Sequence, residues 1–168
     1  MRHGAAEDVS SSGRDADREL TPAGMAAVRR VALALRAAGG PPLGRIIASP
    51  YARAQQTAEI IQSVLGPHLP IETHEDLTPD GSAYDLAVRL WSAPTSVFLV
   101  GHQPNIEMVA RSLAAPAPHA ASSAQLPEGF LARMPAGFRT ATVVAFHTGR
   151  PPPYPLAFSV EPGALPSP

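Results

Sequence analysis

A chain of 168 residues is one domain by length, large enough for a single hydrophobic core. With 45% hydrophobic and 16% charged residues it reads as globular, and a net charge of −1 argues against general binding to nucleic acid or anionic membranes. The absence of cysteine removes disulfides, thiolate nucleophiles and zinc–thiolate sites together.

Arg2-His3-Gly4 opens the chain and joins a histidine, phosphorylatable on nitrogen, to an arginine that can hold phosphate. Residues 5–19 are polar, rich in Ser and Asp and without apolar periodicity, which predicts a mobile loop and no signal peptide. Thr21-Pro22 then starts a helix, with Thr as N-cap and Pro at the first helical position. Met25, Val28, Val31, Ala32 and Leu35 recur at three- and four-residue steps, and Gly39-Gly40 ends the run. Residues 45–48 predict a short strand, followed by a helix over 52–65 whose apolar face is Ala54, Ala58, Ile61 and Leu65.

A further strand is expected over 69–73 and a helix over 83–91, with Trp91 as a core anchor. The continuous apolar run 96–100 predicts a buried strand. Pro104 starts a helix to about residue 114. Residues 115–128 form an Ala/Pro/Ser-rich loop, with a helical turn near 130–134. Residues 140–147 and 156–160 predict strands joined across the Pro-rich segment 149–153, and the tail over 161–168 is expected to fray. No apolar run approaches the length of a membrane span, so a soluble cytoplasmic protein is the default. Alternating strands and helices predict an α/β sandwich with a mainly parallel sheet and an antiparallel edge.

In such folds ligands bind beyond the carboxyl ends of the strands. Arg2-His3, Arg53 and His102 each follow a predicted strand, so one rim can hold all of them. The helices after Pro50 and Gln103 also point their N-termini there, which favours an anion. These residues predict two histidines and at least two arginines around one phosphoryl group. All thirteen basic residues are Arg, which together with the many Ala and Pro reflects a GC-rich genome, so arginine frequency by itself carries no weight.

Four ordered motifs complete the pattern: Arg2-His3-Gly4; Arg18-Glu19-Leu20-Thr21-Pro22-Ala23-Gly24; Ser49-Pro50-Tyr51-Ala52-Arg53-Ala54-Gln55-Gln56-Thr57; and Gly101-His102-Gln103-Pro104. Leu77-Thr78-Pro79-Asp80-Gly81 lies between the last two. In order and spacing the chain resembles the histidine phosphatase superfamily, the phosphoglycerate-mutase-like phosphatases, and within it the small SixA-type phosphohistidine phosphatases. The resemblance implies a three-layer α/β/α sandwich and one histidine phosphatase domain over 1–168. It also implies a central strand ahead of Arg-His-Gly. Here Met1 alone precedes Arg2, so either that strand is lost or the start lies upstream of the recorded one, and the cost of omitting a central strand favours the second.

On this resemblance His3 is the nucleophile, and the carbonyl near Gly4 fixes its tautomer. Gly4 lets the backbone approach the reacting group. Arg2 and Arg53 clamp the phosphoryl oxygens, with Arg18 as a third clamp from the loop. Arg53 lies at a helix N-terminus, a poor place for a cation unless an anion sits there too. His102, protonated, donates to a phosphoryl oxygen. Asp76 and Asp80 are the candidates for protonating the leaving group, although either suits a plain turn carboxylate. No ligand cluster suggests a metal, and no cofactor is expected.

Ser49 is expected to cap the helix that carries Arg53, and Thr57 to pack within it. His68, His74, His119 and His147 have no evident companions and read as surface residues. The implied activity is a metal-independent phosphatase acting on a phosphorylated protein histidine. The alternatives are a phosphatase for small phosphomonoesters and a non-enzymatic phosphate-binding module. A weak proton donor favours phosphoramidate over alkyl phosphate, because imidazole leaves more readily than alkoxide.

Overall fold

The computed structural model describes residues 1–39, 42–91, 93, 95–114, 137–146 and 156–165. The described residues form five strands: β1 (Leu43–Ala48), β2 (Ile71–Thr73), β3 (Ser96–Val100), β4 (Val143–Phe146) and β5 (Leu156–Val160). They alternate with α1 (Pro22–Ala37), α2 (Ala52–Leu65), α3 (Ala83–Trp91) and α4 (Asn105–Ala114). β1 lies between β2 and β3 and pairs with both in parallel, while β4 and β5 form an antiparallel ladder. The segment Met1–His3 links the two ladders at one end. Arg2 bridges Gly101 in parallel, and its N–H donates to the Thr142 carbonyl (3.1 Å).

Side chains alternate across each strand and so define two cores. Ile46, Ala48, Phe98, Val100 and Val143 face α1 and α2. Ile47, Val97, Leu99 and Val144 face α3 and α4. Helices therefore cover both faces, and the three-layer α/β/α sandwich expected from the sequence is what the chain forms. Between the ladders an apolar cavity of about 440 Å³ is lined by Met1, Leu35, Phe98, Ile106, Phe138 and Val143, among others.

Local sequence accounts for the elements. Thr21 caps α1, its Oγ1 accepting from the Gly24 N–H (2.9 Å), and Pro22 occupies the first turn. Gly24 faces the neighbouring backbone so closely that a Cβ there would lie 2.1 Å from the Ala5 carbonyl oxygen. One periodicity reading needs correction. Met25 is 40% exposed, and Gly24 takes its place on the buried face with Val28, Val31, Ala32 and Leu35.

The loop over 5–19 is more ordered than its composition suggests. Ala6 bridges Leu20, and Asp15–Asp17 form a short 3₁₀ turn. The Trp91 side chain, the segment 115–136 with its expected helical turn, the strand connection around 149–153, and His119 and His147 lie outside the described residues. Among the described residues no helix is long and apolar enough to cross a membrane.

A candidate phosphoryl site at the strand ends

Three chain segments meet where the parallel strands end. The Ser49 N–H donates to the Val100 carbonyl (3.0 Å), the Gly101 N–H to Met1 (3.1 Å), and the His3 N–H to Gly101 (3.0 Å). This ladder sets Ser49, His102 and His3 side by side. The ring centroids of His3 and His102 are 4.8 Å apart, and Tyr51 packs edge-on against His102 at 4.8 Å. The Arg53 guanidinium stacks on Tyr51, 4.9 Å from its centroid.

His3 is buried and its Nδ1 donates to the Gly4 carbonyl across 2.6 Å. A carbonyl can only accept, so this contact puts the proton on Nδ1 and leaves Nε2 with a lone pair. Burial lowers the His3 pKa to about 4, with Arg53, Arg2 and Arg18 adding to the effect. Three guanidinium groups thus lie within electrostatic reach of the nucleophile candidate. Gly4 has a packing reason beside the one its motif suggests. A Cβ there would meet Val28 at 2.8 Å, so the glycine lets this segment press against α1.

His102 is 2% exposed, and its Nε2 lies 2.9 Å from the Ser49 hydroxyl. Burial above all, then the neighbouring His3 and Arg53, lowers its pKa to about 3. In the ligand-free site burial thus favours neutral imidazoles, with one N–H on His102 to donate; the expected protonated His102 belongs to the phosphate-bound site. Its Nδ1 is buried with no hydrogen-bond partner among the described residues, as is the Nε of Arg2. Arg2 donates instead through Nη1 to the Phe138 carbonyl (2.8 Å).

Arg53 is 5% exposed at the start of α2, and Asp15 supplies the anion such a position calls for. Its Nη2 donates to the Asp15 carboxylate (2.9 Å) and its Nη1 to the Asp15 main-chain carbonyl (2.6 Å). Arg18 reaches the other carboxylate oxygen (2.7 Å), while its Nε donates to the Glu7 carbonyl (2.5 Å). Asp15 was absent from the expected set. The signal that could have found it is the Asp-x-x-Arg spacing of Asp15 and Arg18 on a loop that must return to the rim.

Thr57 and Ser49 hold the site together in ways their motif does not announce. Thr57 Oγ1 accepts from the Gly4 N–H (3.1 Å) and donates to the Arg53 carbonyl (2.7 Å). Ser49 contacts His102 and accepts a long bond from the Tyr51 N–H (3.4 Å), while Tyr51 is the N-cap residue of α2.

The two proposed acids lie on the segment that follows β2. The Asp76 carboxylate accepts from Arg89 (2.8 Å), whose other arm lies 2.9 Å from His74 Nε2. His74 is thus half-buried and has partners, contrary to its reading as a lone surface histidine. Asn105 Nδ2 donates to the carbonyls of Asp76 and Thr78 and pins this segment to α4. Asp80 is exposed on the following turn, and a Cβ on Gly81 would meet the Asp76 carbonyl oxygen at 2.3 Å. That close turn accounts for the glycine of the Leu-Thr-Pro-Asp-Gly motif.

Comparison with known proteins agrees with this architecture. Residues 1–78 match the family described as histidine phosphatase superfamily, branch 1. An uncharacterized protein of Picosynechococcus is 38% identical over 119 residues, 68% of this chain and 70% of that one. The phosphohistidine phosphatase named SixA from Agrobacterium tumefaciens superposes with a TM-score of 0.72 at 26% identity, covering 96% of this chain and 95% of that one. The protein histidine phosphatase SixA complexed with tungstate gives 0.73 at 23% identity, over 97% and 95% of the two chains. A phosphoserine phosphatase of Entamoeba histolytica is more distant, at 0.58 and 16% identity, over 95% and 94%. With the ordered motifs, the family match and the SixA-like fold in agreement, the chain belongs to the histidine phosphatase superfamily and is a hydrolase of the phosphatase class.

Proposed function

We propose that the protein is a metal-independent phosphatase that works through a phosphohistidine on His3 and removes phosphate from a phosphorylated histidine of a protein. The observation that carries this is the His3–Gly4 hydrogen bond, which leaves Nε2 unprotonated among three arginines. Nε2 attacks phosphorus as the bond from phosphorus to the leaving nitrogen breaks, and the departing imidazole takes a proton from solvent water. Water then cleaves the new N–P bond, releasing inorganic phosphate and restoring His3. Arg2, Arg18 and Arg53 supply the charge that phosphoryl transfer needs, so positioning and electrostatics carry the catalysis. His102 contributes one N–H to an equatorial oxygen, and a bound dianion would raise its proton affinity.

The substrate reading rests on the acids. Asp76 is engaged by Arg89 and Asp80 is exposed in a turn, which suits an imidazole leaving group better than an alkoxide. The SixA relatives named for phosphohistidine support the same reading. The test is incubation with a labelled phosphodonor. Wild type should give an acid-labile, alkali-stable adduct and His3→Ala none, and turnover of a phosphohistidine protein should exceed that of alkyl phosphates. Equal rates on both substrates would refute the substrate assignment while leaving the phosphatase chemistry in place.

A further inference from the structure

Asp15 lies between the two guanidinium groups that the preceding reading assigns to the phosphoryl clamp. One carboxylate oxygen accepts from Arg53 and the other from Arg18, at 2.9 and 2.7 Å. A tetrahedral oxyanion bridging the same two arginines would have to lie against this carboxylate, and two anions in one place repel. One of them must yield.

The asymmetry of burial decides which. Arg53 is enclosed, with 5% of its side chain exposed, and its backbone is fixed in α2. Asp15 is 55% exposed on a three-residue turn and has no buried neighbour within that turn. Rotating the carboxylate into water therefore disturbs little, whereas moving Arg53 would disturb the start of α2. In the ligand-free enzyme the buried guanidinium needs a counter-ion, since an unpaired buried charge is costly. Asp15 meets that need until phosphate arrives.

We propose that Asp15 is a displaceable counter-ion: it holds Arg18 and Arg53 in register in the resting site and competes with the substrate's phosphoryl oxygens for them. It is a positioning residue, acting on the reaction through the two arginines. It also sets a threshold for ligands. A dianionic phosphoryl group can displace it, while a monoanionic carboxylate of similar size gains no charge by the exchange. The inference depends on Arg18 and Arg53 being the phosphoryl clamp.

The experiment is calorimetric titration of the full chain with inorganic phosphate, alongside the His3 adduct assay. Asp15→Asn removes the charge and keeps the shape, and should bind phosphate about five- to tenfold more tightly than wild type, the scale of a partly exposed ion pair on a buried arginine. Asp15→Ala should shift affinity in the same direction and serves if the first variant folds poorly. Asp17→Asn removes a charge from the same turn, where Asp17 pairs with exposed Arg14, and should leave phosphate affinity unchanged. Acetate should bind wild type negligibly and Asp15→Asn measurably. Equal or weaker phosphate binding by both Asp15 variants, with a normal His3 adduct, would overturn the competition and leave the phosphatase reading intact. An equal gain from Asp17→Asn would reduce the effect to net charge and also overturn it. Absence of both phosphate binding and adduct in wild type would remove the clamp itself.

Discussion

The hydroxyl of Thr57 ties the Gly4 N–H to α2, accepting from it at 3.1 Å while donating to the Arg53 carbonyl. Through one side chain the segment bearing His3 is fastened to the helix bearing Arg53. Thr57→Val keeps the shape and removes both bonds, stranding a buried N–H. It should cost about 1–3 kcal/mol in urea unfolding. Thr57→Ser should recover most of that loss, because it restores the donor and acceptor. If valine is tolerated as well as serine, the bond has no structural weight.

Three buried bases share one direction of shift. The Met1 amine is lowered to about 5, His3 to about 4 and His102 to about 3, in each case mainly by burial. The unfolded chain therefore holds more protons than the folded one below the ordinary values of these groups. Their contribution to stability is complete above about pH 8 and is lost as the pH falls through these folded values. Within its window each group contributes a slope of about 1.4 kcal/mol per pH unit. Urea midpoints should fall steadily from pH 8 to pH 5, and more gently in His102→Asn. A midpoint independent of pH over that range would contradict the burial of these groups.

The same shifts bear on catalysis. His3 stays unprotonated down to about pH 4 in the free enzyme, so adduct formation should show no loss near pH 6.5, the ordinary histidine value. A rapid-quench pH series on adduct formation tests this directly. A fall centred on pH 6.5 would mean that His3 is solvated and unshifted.

Arg53 should not be replaceable by lysine. A single ammonium cannot serve Tyr51 by stacking and two acceptors by its fork at once. Arg53→Lys should lower kcat/KM by about 10²-fold, and His102→Ala by about 10²–10³-fold, each without loss of fold by circular dichroism. A lysine variant with wild-type kcat/KM would show that charge alone suffices at this position.

Glycine in a helix normally gains about 1 kcal/mol on replacement by alanine. At Gly24 the sign should reverse, since the new methyl would lie 2.1 Å from the Ala5 carbonyl oxygen, which is backbone and cannot turn aside. Overpacking of this kind costs about 1–3 kcal/mol. Gly24→Ala should unfold at lower urea and weaken phosphate binding, because the displaced loop carries Asp15 and Arg18. Thermal or urea melts equal to wild type would show that the loop gives way freely.

Much of the fold was legible because its periodicities are clean. α2, α3, β3 and β5 fall where apolar spacing placed them, and Thr21-Pro22 opens α1 as capping chemistry requires. Arg53 and His102 meet because each lies just after a strand of the parallel sheet, β1 and β3, and His3 joins them through the Arg2–Gly101 bridge. The rest depended on facts that no local pattern carries. Asp15 looks like any loop carboxylate until the turn folds back over α2. Thr57 looks like a helix residue until Gly4 arrives beside it. The neutrality of His102 comes from burial, which arises only when Ser49, Tyr51 and His3 surround it.

Met1 does more than precede the Arg-His-Gly motif. The Met1 amine donates to the Leu99 carbonyl at 2.7 Å, against the apolar cavity between β3 and β4. A peptide or acetyl group joined there would keep an N–H for that carbonyl while abolishing the charge that burial penalises. Fusions at this terminus should therefore behave according to their last few residues. An extended apolar lead-in would zip between the two ladders and firm the rim that holds His3, whereas a charged purification handle would pry them apart.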